Sequence, residues 1–124
     1  MSLRSPLARV RHLGSAHDGT AHWWAQRLTA LALVPLVLWF VISVISLIGS
    51  DYESFVDWAG SPVSGALLVL LIGATFWHAA LGLQVVIEDY VHREGCKLAS
   101  VLLVKGACLL LGAIAALSVL SLMV

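Results

Sequence analysis

The stretch Val63–His92, VSGALLVLLIGATFWHAALGLQVVIEDYVH, decides the fold. From Val63 to Ile87 it holds no Asp, Glu, Lys or Arg, and a single histidine, His78, breaks its apolar character from within. At ~1.5 Å per residue of α-helix, that run is long enough to cross a hydrocarbon core of roughly 30 Å. It runs out at Glu88, Asp89 and Tyr90, with His92 just beyond. An imidazole deep in the run and a carboxylate–phenol pair at its end are unusual company for so apolar a segment.

Two further apolar runs flank it, Leu28–Ile48 and Leu98–Val124. Across 124 residues the chain is 60% hydrophobic and 11% charged, more apolar surface than a soluble domain of this size can hide. The expected fold is therefore all-α and integral to the membrane, with three transmembrane helices at about 28–48, 63–87 and 98–124. Residues 1–27 form a polar arm, and the chain 1–124 reads as one membrane domain. The first run is longer than the about 7–15 residues of a secretory h-region and follows an arm too long for one, so it is expected to be retained.

Charge sets the expected orientation. Arg4, Arg9, Arg11 and Arg27 precede the first run, the 49–62 loop has only Asp51, Glu53 and Asp57, and the 88–97 loop carries Arg93 and Lys97. By the positive-inside bias the N-terminus is cytoplasmic and the C-terminus periplasmic. Trp23, Trp24 and Trp58 suit the two interfaces. Pro35 is expected to kink the first helix, and Pro62 fits a first-turn position of the second. Gly65, Gly73 and Gly82 in the second helix, and Gly106 and Gly112 in the third, allow close approach of a helix or a flat ligand. Cys96 and Cys108 would lie about 18 Å apart along one helix, beyond disulfide reach, and read as small apolar residues.

Ionisable groups at membrane depth face protein, water or a ligand. His78 lies ten residues before Glu88, hence ~15 Å inside the helix end. Two readings stand for it: a neutral imidazole bonded to a neighbouring helix, or an axial ligand to haem iron. No second histidine occurs at that depth, so a haem would need its other ligand from another subunit. Asp89 follows His78 by eleven residues, about 20° past three full turns, so both leave one face, and Gly82 on that face leaves room for a planar macrocycle. Tyr90 is either an interfacial anchor or a hydrogen-bond donor to a quinone carbonyl, with Asp89 as its orienting or proton-passing neighbour. Arg27 either snorkels to lipid phosphate or pairs with a haem propionate, with His22 as a second donor. Lys105 either snorkels to the cytoplasmic side or neutralises a buried carboxylate or propionate.

The segment HAALGLQVVIEDYVH, with its H-x3-G-x6-D-Y-V pattern at His78, Gly82, Asp89, Tyr90 and Val91, resembles the cytochrome b membrane-anchor family of succinate dehydrogenase, respiratory complex II. The arm SAHDGTAHWWAQRLTALAL resembles the segment before helix one in its alphaproteobacterial and mitochondrial-like members. The resemblance implies a multi-pass anchor in the bacterial inner membrane, packed with a second anchor into a helical bundle within a four-subunit succinate:ubiquinone oxidoreductase. A flavoprotein subunit would oxidise succinate, an iron–sulfur subunit would relay electrons, and the two anchors would hold haem b and ubiquinone. It implies that His78 is one haem ligand, the other coming from the second cytochrome b anchor. It also implies that Tyr90 bonds ubiquinone beside Asp89, and that Arg27 lies near the propionates. It assigns nothing to His22, His92 or Lys105. The chain has no dinucleotide fingerprint and no cysteine array, so flavin and clusters belong to the other subunits. It would have no activity alone, and nucleic acid is not among the expected partners.

Two other classes remain at this point: an anchor of another b-type cytochrome, of hydrogenase or formate dehydrogenase type, and a non-redox structural membrane protein in which His78 is only packed. Multiple histidines at membrane depth characterise the first, against one here. For the haem reading, Arg27→Ala is expected to lower the haem reduction potential without removing the haem, because unneutralised propionate charge favours ferric iron. A redox titration showing no shift returns Arg27 to lipid snorkelling.

Overall fold

The chain is described by a computed structural model for residues 16–124, with side chains from Gly19 onward. Arg4, Arg9, Arg11 and the rest of segment 1–15 lie outside the described residues. Helix α1 is Ala16–Ser46, α2 Tyr52–Gly60, α3 Pro62–Tyr90 and α4 Glu94–Met123. The three long helices are each of a length and apolarity that cross a membrane. The expectation of three spans holds, with three changes of boundary and one added element.

The first change is at α1, which starts well before the apolar run at Leu28. Ala21, Ala25, Gln26 and Arg27 are good helix formers, and hydropathy marks where lipid begins rather than where a helix does. The arm is thus helical from Ala16 and continuous with the span. α1 also runs through Pro35 without interruption. It ends in a turn in which the Ser50 N–H donates to the Leu47 carbonyl at 3.0 Å. Gly49 takes φ +84°, the left-handed conformation that stops a helix and that glycine adopts at no steric cost.

The added element is α2, where the sequence read only a loop. Its signal lies in Asp51, whose carboxylate caps the helix by accepting from the Ser54 N–H at 2.9 Å. Hydrogen bonds from the Ser54 hydroxyl, and then from its N–H, hold the Asp51 carboxyl below its usual range. Glu53 in the first turn adds the negative charge that a helix N-terminus favours. On the apolar side Trp58 stacks on Trp39 of α1, with ring centroids 5.9 Å apart, and Phe55 lies 6.0 Å from the same indole.

Ser61 joins α2 to α3. Its N–H donates to the Trp58 carbonyl at 3.4 Å, and its hydroxyl accepts from the Ser64 N–H at 3.4 Å. Pro62 occupies the first turn, where its missing N–H costs nothing. α3 then continues to Tyr90, so Asp89 and Tyr90 belong to its last turn rather than to a loop. The expected 88–97 loop shrinks to 91–93, and Lys97 sits in the first turn of α4, 3.7 Å from Glu94. Cys96 and Cys108 are free thiols on one helix, as their spacing implied.

α3 is the hub. Both α1 and α4 pack along it, and among the described residues they do not pack on each other. Lipid supplies no hydrophobic drive between helices, so close approach at small residues carries the packing. Gly112 of α4 faces the Phe76 ring, Gly65 faces the Met123 thioether, and Gly60 faces the Leu122 backbone. Gly73 and Gly106, expected as packing sites, have no such neighbour in this chain. Among the described residues only Ala59 and Leu68 are buried hydrophobic side chains, while Leu31, Ile42, Leu103 and Leu109 stay about two-thirds exposed or more. A bilayer or other subunits must cover them.

A Cβ at Gly60 would stand 2.5 Å from the Leu122 carbonyl oxygen, a backbone atom that cannot swing aside. Gly60→Ala is expected to cost about 1–3 kcal/mol by overpacking and to lower the unfolding temperature in detergent. Gly95→Ala, at a site with open space, should leave that temperature unchanged or slightly raised.

Candidate functional site

α1 turns one polar stripe toward α3. His22, Gln26 and Thr29 recur at intervals of four and three residues, so they share a face, and all three are half-buried. Opposite them on α3 stand His78 and Gly82, one turn apart. The Thr29 hydroxyl oxygen lies 3.0 Å from His78 Nδ1, a hydrogen bond that crosses between two spans. Such bonds inside a membrane contribute about 0.6 kcal/mol on average and up to roughly 1.7. The other ring nitrogen of His78, Nε2, makes no hydrogen bond among the described residues.

Gly82 is less open than its sequence implied. The Gln26 amide lies over it, its Nε2 3.5 Å from where a Cβ would be. A flat group seated over Gly82 would have to displace that side chain. The Gln26 amide oxygen and His22 Nε2 are buried without hydrogen-bond partners, as is the Gln84 amide oxygen, although Gln84 Nε2 donates to Glu88 at 2.8 Å. Unpaired buried polar atoms are costly and rare. Two of them lie on the stripe that holds Thr29 against His78, so this seam is chemically unfinished in the chain by itself.

Asp89 and Tyr90 are both exposed, Tyr90 at 79%. Among the described residues neither makes a hydrogen bond, and none joins them to each other. Neighbours on a helix project about 100° apart, which separates the carboxylate from the phenol. Asp89 does share the His78 face, as the helix running to Tyr90 requires. His92 is exposed in the short 91–93 turn.

Arg27 is not brought to His78. It lies roughly 160° around α1 from Thr29, and its guanidinium sits over the Trp23 ring at 5.4 Å. Trp23 in turn meets Trp24 edge to face at 5.0 Å. Lys105 stands elsewhere again, on a groove of about 450 Å³ between α3 and α4 lined by Gly73, Phe76, Trp77, Ala80, Cys108 and Gly112 among others. His78 does not line that groove. Among the described residues no three His, Cys, Asp or Glu side chains gather in the manner of a metal site.

The sequence missed Thr29 and Gln26. Their signal is the spacing from His22, which repeats at helical period across the junction of the polar arm and the first apolar run.

Comparison with known proteins gives a consistent result. The family described as succinate dehydrogenase/fumarate reductase transmembrane subunit matches residues 1–120. The succinate dehydrogenase hydrophobic membrane anchor subunit of Rickettsia bellii is 31% identical over 102 residues, 82% of each chain. That of Paracoccus denitrificans is 32% identical over 98 residues, 79% of this chain and 75% of its own. The succinate dehydrogenase membrane anchor subunit of Reclinomonas americana is 28% identical over 100 residues, 78% of this chain and 83% of its own.

Proposed function

The chain belongs to the succinate dehydrogenase/fumarate reductase transmembrane-subunit family as a multi-pass membrane anchor, and on that premise we propose that it ligates haem b through His78 and frames a ubiquinone-reduction site at Tyr90. It does so in the bacterial inner membrane with its N-terminus in the cytoplasm, as part of a succinate:ubiquinone oxidoreductase. Its partners are a second anchor, an iron–sulfur subunit and a flavoprotein, which together carry electrons from succinate to the quinone pool.

The observation that carries the haem assignment is the state of His78. Thr29 engages Nδ1, while among the described residues nothing bonds Nε2, well inside a span with no second histidine at that depth. A merely packed imidazole would be satisfied at both nitrogens. An iron ligand needs one nitrogen held and the other free. Bound between the two anchors, haem b would supply a one-electron carrier in the membrane. The buried, unpaired His22 Nε2 supports a polar group of the haem edge at that end of the seam. Arg27 has a weaker claim, because its guanidinium lies on Trp23 on the far side of α1.

Tyr90 carries the quinone assignment. Its phenol is exposed, has no hydrogen-bond partner among the described residues, and belongs to the last turn of α3, where the apolar run has ended. Quinone reduction takes two electrons and two protons, so a donor at the carbonyl stabilises negative charge as it develops. Asp89 does not touch the phenol. Its role in this reading is to pass protons from the aqueous side, not to orient Tyr90.

His78→Ala should abolish or alter the low-spin b-type spectrum of the purified complex and weaken its assembly. Unchanged haem content and spectrum would remove His78 from the iron. Tyr90→Phe keeps the ring and deletes the donor, so haem, assembly and succinate oxidation with a dye acceptor should stay near wild type. Ubiquinone reduction at subsaturating quinone should fall by at least about tenfold, which is ~1.4 kcal/mol of transition-state stabilisation. Wild-type quinone reductase activity in that variant would make Tyr90 an interfacial anchor only.

A further inference from the structure

We infer that Thr29 is the positioning residue of the haem ligand: its hydroxyl fixes which nitrogen of His78 carries the proton and where the ring points. The proposal rests on the reading of His78 as an iron ligand and adds to it a residue of α1 that the family resemblance does not assign.

Three contacts of one oxygen decide the direction of the bond. Thr29 Oγ1 lies 2.8 Å from the Ala25 carbonyl oxygen, 3.0 Å from the Gln26 carbonyl oxygen and 3.0 Å from His78 Nδ1. A hydroxyl has one proton to give and two lone pairs with which to accept, whereas a carbonyl oxygen only accepts. If the proton went to His78, two oxygen–oxygen contacts at those distances would have no hydrogen between them. The proton therefore points back along α1 to the carbonyls, a common arrangement for threonine in a helix. The lone pairs then face His78, and Nδ1 must be the N–H donor. The imidazole so fixed presents an unprotonated Nε2, which is the nitrogen that no described residue bonds.

The partner also tunes the ligand. Donation from Nδ1–H makes the opposite nitrogen more basic and so favours ferric iron. Losing the acceptor should make His78 a weaker donor and raise the haem potential. Threonine adds stiffness, since its branched Cβ restricts the hydroxyl to few orientations on the half-buried stripe it shares with Gln26 and His22.

The test uses the assembled complex, with redox titration of the haem and the electron paramagnetic resonance spectrum of its ferric low-spin state. Thr29→Val keeps shape and removes the acceptor, whereas Thr29→Ser keeps the hydroxyl. The expected result is haem present in both, with Val shifting the midpoint upward and altering the ferric g-values, and Ser restoring both toward wild type. The ratio of reduced to oxidised haem at a fixed solution potential should change several-fold in the Val variant. Should the Val variant fail to assemble, Thr29→Cys, which has a poor sulfur acceptor, should move the potential in the same direction. A wild-type potential and spectrum in the variant lacking the hydroxyl overturns the proposal, and so do equal shifts in Val and Ser, which would indicate packing alone. His78→Ala separates the two levels. Its loss of the low-spin signal beside an unmoved Thr29→Val removes only the role of Thr29, whereas a retained signal removes the ligand and with it the positioning residue.

Discussion

In a bilayer the backbone must satisfy its own hydrogen bonds, because no water is available to do so. The rest of this structure depends on that constraint. Each span becomes a continuous helix whatever its side chains, which is why α1 runs through Pro35 and why α3 reaches Tyr90 past two carboxylates. Between the described helices, irregular backbone is confined to 47–51, Ser61 and 91–93, and even the longer loop between α1 and α3 folds most of its length into α2. Rigid rods leave only rotation and offset to be settled by side chains.

α3 settles both. One face meets α1 through polar groups, with Thr29 on His78 and Gln26 over Gly82, and another meets α4 through shape, with Phe76 against Gly112 and Gly65 against Met123. The two modes suit different tasks. Packing at glycines holds α4 in place without chemistry, whereas the hydrogen bond to α1 orients an imidazole. His78 and Tyr90 are built into the same rod, so the separation between them is fixed. α2 closes the opposite end, where Trp39, Trp58 and Phe55 gather and Gly60 lies against the end of α4.

The chain is unfinished in a way that fits an anchor subunit. Among the described residues its large aliphatic side chains are mostly outside, α1 and α4 leave each other free, and polar atoms of His22 and Gln26 lie buried without a hydrogen-bond partner. A self-sufficient membrane protein would satisfy those atoms internally. The seam between α1 and α3 holds these unpaired polar atoms, while the α3–α4 groove with Lys105 is a separate and largely apolar surface.

Much of this was legible from residues alone. The number of spans, the depth of His78, the shared face of His78 and Asp89, the first-turn place of Pro62 and the separation of the two cysteines all follow from length, hydropathy and a 3.6-residue period. α2 was legible in principle, since Asp51 and Glu53 form a capping signal, but a polar loop composition masked it. The onset of α1 was hidden for the converse reason, because polarity at His22, Gln26 and Arg27 imitates a loop while leaving helix propensity intact. What only the tertiary structure decided is which faces meet: that Thr29 and not Arg27 reaches His78, that Gln26 covers Gly82, and that Lys105 belongs to another groove. Periodicity fixes neighbours on one helix. The rotation and offset of one helix against another are set by close packing between spans that are apolar nearly all round, and such a pattern does not record which side faces its partner.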